Sequence, residues 1–212
     1  MLREDPLGGN IGDFSFRHST LVYHVEGGGS PVLIVHGMSV ASDAYDWRYI
    51  FDCLAGAFLM YSLDATGSSD RLEHSRSHYS DLVEAFIREV IRERTSIIAS
   101  PAEASFVLMA AFQAPRQVDK VMLALPEGAV MIRPRGTIGR EAIGRRLGIP
   151  PIEEIAGGKS WHPGSCDASL RRFATGRIAG IGGCNAIFRR SGATPASIDP
   201  LRFCDDAIRF LG

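Results

Sequence analysis

No apolar run in this sequence approaches the ~20 residues that a membrane-spanning helix needs, so no membrane partner is expected. Cysteine is scarce, with four in 212 residues at positions 53, 166, 184 and 204. So wide a spacing forms neither a C-x-x-C metal pair nor a compact disulfide framework, and reduced thiols are the expectation. No spacing of His, Cys, Asp and Glu suggests a metal centre. The opening MLREDPLGG lacks the apolar segment of a secretory signal, which makes a cytoplasmic location the default expectation. An excess of one charge is missing too, since 23 Lys and Arg stand against 24 Asp and Glu. What is present, 45% apolar and 22% charged residues, is the composition of a globular chain. Its 212 residues suffice for one domain with a sizeable core.

The near-neutral balance hides an asymmetry. Residues 131–190 carry eleven Lys and Arg against four acids, Glu141, Glu153, Glu154 and Asp167. Neither aromatic interleaving nor a nucleic-acid motif accompanies them. A solvated basic face is therefore expected, with no nucleic-acid partner. A protein or anionic partner for that face stays open. Gly180-x-Gly182-Gly183 has the outline of a dinucleotide loop. Asn185 stands at the third glycine of G-x-G-x-x-G, however, and no acidic partner follows, so no cofactor is expected.

Phe14–Val25 is rich in aromatic and β-branched residues and predicts two short strands closed by Gly27-Gly28-Gly29. Val32–Val35 and Phe58–Leu63 predict buried strands, with a helix around Tyr45–Leu54 between them. Leu82, Val83, Phe86, Ile87, Val90 and Ile91 recur at helical spacing, with Asp81 as the expected cap and Glu84 as its partner three residues on. Ile97-Ile98-Ala99 then meets Ser100-Pro101, and a small-residue helix pattern follows from Ala102. Val121–Leu125 is another apolar strand. Strands that are apolar throughout, alternating with helices, predict a parallel sheet covered on both faces.

After Gly128 the signal weakens. Helices are plausible at 140–147, 151–155 and 168–173, a weak strand at 177–181 and a better one at Asn185–Arg189. The last helix is plain: Asp199 is a good N-cap and Pro200 a good first residue. Leu201, Phe203, Ala207, Phe210 and Leu211 predict its apolar face.

The segments VLIVHGMSV, FLMYSLDATGSSDR and TSIIASPAEASFVLMAAFQAPRQVDKVMLALPEG closely resemble the α/β-hydrolase superfamily. The nearest type is the small bacterial group of esterases, epoxide hydrolases, dehalogenases and cofactor-free haloperoxidases. The resemblance covers Phe14–Gly128 and returns at Asn185–Gly212. It implies a single domain over 1–212: a three-layer α/β sandwich on a mostly parallel sheet. It also implies a reduced cap-like insertion over 129–176 and a loss around strand 7. His36-Gly37 resembles the H-G loop after the family's third strand, and Met38 would offer a backbone N–H to an oxyanion. Asp64-x-x-Gly67-x-Ser69 resembles its structural D-x-x-G-x-S turn.

The family's G-x-S-x-G elbow falls on Ala99-Ser100-Pro101-Ala102-Glu103. Pro101 holds the nucleophile position and has no nucleophilic atom. Its ring also fixes φ near −65°, which removes the strained elbow conformation. Ala102 could still present its N–H to the site, and Glu103 falls where a second small residue belongs. The family's G-H-x-P falls on Gly192-Ala193-Thr194-Pro195, so Ala193 holds the position of the base. The usual acid loop has no room, and Glu127 is the remaining candidate acid.

Three readings follow. One is a non-catalytic or nearly inactive homologue, keeping a pocket for a small apolar ligand between Met38, Ala102 and the cap. Another is an active hydrolase using Ser100 with His36 or His162. The third is a partner-binding module using the basic face. His18, His24, His74 and His78 are expected at the surface or in the hairpin.

Overall fold

The computed structural model describes residues 7–36, 44–64, 76–100, 103–125, 128–134, 184–189 and 200–212. Strand β1 (Asn10–Phe16) turns back into β2 (Ser19–Gly27), and β3 (Pro31–His36) leads to helix α1 (Ala44–Ala55). Next come β4 (Leu59–Asp64) and α2 (Arg76–Phe86), whose last turn, Ile87–Ile91, widens to π-helical spacing. Arg92 closes that turn in the left-handed region at φ 63°, its N–H donating to the Ile87 carbonyl at 2.7 Å. Then follow β5 (Thr95–Ala99), α3 (Ala104–Gln113), β6 (Val118–Leu125), β7 (Gly128–Pro134), β8 (Cys184–Arg189) and α4 (Pro200–Leu211).

All eight described strands form one sheet in the order β1-β2-β4-β3-β5-β6-β7-β8. The centre, β4-β3-β5-β6, is parallel. The pairings β1–β2, β2–β4, β6–β7 and β7–β8 are antiparallel, so only β2 and β7 run against the other six. The mostly parallel sheet expected from the sequence is therefore present.

Each central strand is buried on both faces, and successive residues supply opposite layers. Leu33 and Val35 of β3, Ile97 and Ala99 of β5, and Val121 and Leu123 of β6 pack with α2 and α3. Val32, Ile34, Ile98, Met122 and Ala124 pack on the other face with Trp47, Ile50, Phe51 and Leu54 of α1 and Phe203, Cys204 and Ala207 of α4. This makes three layers. Helix α3 is buried at nearly every described position from Ala104 to Phe112, because it is apolar all round. The strand–turn–helix from Thr95 to Gln113 is thus the centre of the molecule.

The hairpin is fastened by aromatic contacts. Phe86 of α2 meets Phe14 and Tyr23 edge-on, each with ring centroids 5.2 Å apart, and Tyr61 at 6.2 Å. Gly27, at φ +90°, lets the chain leave β2 beside the carbonyls of Ala55 and Phe58, where a Cβ would collide with both oxygens.

Several expectations are corrected. Gly128–Pro134 is a sheet strand, with Leu125 opposite Gly128, so residues 129–134 do not open the cap-like insertion expected over 129–176. That strand lies between β6 and β8, and the weak strand expected at 177–181 lies outside the described residues. Residues 135–183, including the three helices expected there, lie outside the described residues. Asp81 does not cap α2, which begins one and a half turns earlier at Arg76; its carboxylate instead accepts from Arg17 at 3.2 Å. Leu201, expected on the apolar face of α4, is 72% exposed, and Cys204 takes its place. His24 lies in the hairpin, as expected, and is buried there, whereas His78, expected at the surface or in the hairpin, is buried on α2. His78 lies against Phe16, with Arg17 Nη1 2.9 Å from its Nδ1. Among the described residues no helix is long and apolar enough to cross a membrane.

Candidate functional site

In an open parallel sheet the chain leaves each strand at its carboxyl end, and side chains from neighbouring loops converge there. His36 ends β3, Asp64 ends β4, and Ser100 follows β5. The register pairs His36 with Asp64 and Val35 with Ala99, so His36 and Ser100 occupy adjacent positions across the β3–β5 pair. Both are buried, at 1% and 6% exposure.

Each side chain has a buried bonding partner. The Ser100 hydroxyl donates to Glu103 Oε2. Glu103 is fully buried, and its backbone N–H closes a turn on the Ser100 carbonyl at 3.2 Å. Helix α3 starts at the next residue, Ala104, and Val107 N–H returns to the Glu103 carbonyl at 3.1 Å. The pattern Ser-x-x-Glu stands at the helix start, but Glu103 itself is the N-cap residue and no side chain caps the first turn; the two side chains bond each other instead. A carboxylate at position 103 fits because Ser100 reaches it. The sequence carried this signal in Ser100-Pro101-Ala102-Glu103. Aligning position 103 with the small residue of an elbow hides that pairing.

His36 Nε2 lies 2.8 Å from Ser62 Oγ, and Ser62 is fully buried in β4. The pleat explains the pair. Ser62 sits opposite Ile34 in the register, so its side chain emerges on the face that His36, two residues on, also uses. No local pattern links residues 36 and 62; only the β3–β4 pairing does.

The structure thus joins Ser100 to Glu103 and His36 to Ser62. Gly37, Met38, Pro101, Ala102, Glu127, His162 and Ala193 lie outside the described residues. β6 and β7 are separated in sequence only by Pro126 and Glu127. Among the described residues no group of three or more His, Cys, Asp or Glu could hold a metal ion.

A buried hydroxyl bonded to a carboxylate can do two things. It can stabilise the turn, since both polar groups would otherwise be desolvated without compensation. With a substrate beside it, the carboxylate can take the hydroxyl proton as a general base. His36, bonded to a strand serine, orients the end of β3.

No family model and no curated protein matches this sequence. Solved structures similar to it include a serine hydrolase involved in carbazole degradation, at 18% identity and TM-score 0.46 over 49% of this chain and 43% of that one. An α/β-hydrolase-fold protein from Burkholderia ambifaria matches at 22% identity and TM-score 0.46, over 55% and 46%. A haloalkane dehalogenase loop variant from Bradyrhizobium elkanii matches at 18% and 0.48, over 54% and 39%. The matched region spans less than half the length of each of these proteins. All three are α/β-hydrolase-fold proteins, the fold type that the sequence motifs resemble.

Proposed function

We propose that this chain is an α/β-hydrolase-type scaffold that does not run the serine–histidine hydrolytic mechanism and instead binds a small apolar ligand. The observation that carries this reading is that both described candidates are already engaged by buried partners, Ser100 by Glu103 and His36 by Ser62. An acyl-transfer serine needs its base within hydrogen-bond reach, and the base in turn held by a third group. The identities of Pro101 and Ala193, at the nucleophile and base positions of the resemblance, support the same conclusion.

A fluorophosphonate probe with peptide mapping tests it. Ser100 stays unmodified under conditions that label an ordinary serine hydrolase to completion. Stoichiometric labelling of Ser100 would falsify the proposal.

The Ser100–Glu103 bond favours a second reading, a slow hydrolase with Ser100 as nucleophile and Glu103 as its base. It requires cleavage of p-nitrophenyl acetate that disappears in both Ser100→Ala and Glu103→Gln. A rate unchanged by Ser100→Ala eliminates it.

A further inference from the structure

Cys53 lies on α1 and Cys204 on α4, the two helices packed side by side on one face of the sheet. The sequence separates them by 151 positions (204 − 53), and the fold seats both in one apolar cluster. Cys204 is 1% exposed, whereas Cys53 is only half-buried and so reachable from solvent. Cys53 packs against the cluster that holds Cys204 and is the neighbouring thiol that acts on it. Burial first, and then the neighbouring Cys53, push the Cys204 thiol well above the ordinary thiol range, so it stays protonated. Neither cysteine belongs to the Ser100 or His36 pair. In the present structure both are free thiols.

The geometry points to a reversible oxidation site, in which a peroxide converts Cys53 and Cys204 into a disulfide that fastens α4 to α1. Cys53 reacts first because solvent reaches it. Its sulfur gives an electron pair to one peroxide oxygen, the O–O bond breaks, and a sulfenic acid and one water result. The Cys204 sulfur then attacks the Cys53 sulfur. The S–O bond breaks, the Cys204 proton leaves with that oxygen as a second water, and the S–S bond forms. In total two thiols lose two electrons and two protons, and one hydrogen peroxide becomes two waters. Cys204 needs no solvent access of its own, since its partner is already beside it. Closing so long a loop restricts the unfolded chain, so the oxidised form melts at a higher temperature.

The test uses the full chain treated with stoichiometric hydrogen peroxide under native conditions, then alkylated and digested without reduction. The expected product is a single linked species containing the Cys53 and Cys204 peptides, two hydrogens lighter than their sum. Its melting temperature rises by on the order of 5 °C, and dithiothreitol reverses both changes. Cys53→Ser abolishes the link and the shift. Mapping of the unsubstituted protein decides the matter alone should that variant fold poorly. Oxidation of Cys53 to a sulfinic acid with Cys204 still alkylatable overturns the proposal. So does a link from either residue to Cys166 or Cys184, or a Cys53–Cys204 link that appears only in urea.

Discussion

Ser100 and Glu103 bring a hydroxyl and a carboxyl group into buried positions, so desolvation sets the strength of their bond. Deleting one partner leaves the other buried with fewer bonds, which costs about 1–3 kcal/mol. Ser100→Ala is therefore expected to lower unfolding free energy by about that amount in urea titrations. Glu103→Gln, which keeps the shape and one acceptor, should cost less than Glu103→Ala. An Ser100→Ala variant as stable as the parent shows that the bond contributes nothing. The residue scale also shows how one local pattern can be read two ways. A small polar residue followed three positions later by glutamate occurs at Asp81–Glu84 and at Ser100–Glu103. The first lies inside a helix that starts at Arg76, and only the second stands at a helix start. A four-residue pattern carries no information about how far the apolar stripe extends upstream, so it could not separate the two.

The β1–β2 hairpin leans on α2 through His78, which lies against Phe16, and through Phe86, which is fully buried against Phe14, Tyr23 and Tyr61. Phe86→Ala removes those edge contacts and leaves a cavity, at an expected cost of about 3–5 kcal/mol. Amide hydrogen exchange should show faster exchange in Asn10–Gly27 than in β5 and β6; a uniform change across the sheet would mean that the ring serves the whole core. The Arg17–Asp81 ion pair adds little to the same junction, because both partners are substantially exposed. Most elements were legible because their cause is periodic. Fully apolar runs mark β3, β4, β5 and β6, and Pro200 marks the start of α4. Strand β7 was not, because GAVMIRP follows Pro126 within a segment whose composition is that of loops. Its strand character comes from pairing on both sides, with β6 and β8.

For the molecule as a whole, pH acts through the α1–α4 layer. The Cys204 thiol is raised in the folded state, so the folded protein holds its proton where the unfolded chain releases it. Stability is unaffected below the unfolded thiol value of about 9 and falls as pH rises above it. Burial raises the Tyr61 phenol as well, and it acts in the same sense. In the presence of reductant, the urea midpoint should therefore drop between about pH 9 and 11, and drop less steeply in Cys204→Ala. Equal slopes in the two proteins would remove Cys204 as the cause. By itself the sequence determined the alternation of buried strands and helices, and hence the three layers. It also determined which residue types stand at the positions where a hydrolase would carry its nucleophile and base, Pro101 and Ala193. Both follow from local order along the chain. Only the tertiary structure decided that His36 meets Ser62, that β7 joins the sheet, and that Cys53 meets Cys204. His36 and Ser62 are 26 positions apart (62 − 36), Cys53 and Cys204 are 151 apart (204 − 53), and β7 needs β8 as well as adjacent β6, so strand order and helix packing, not local periodicity, bring them together.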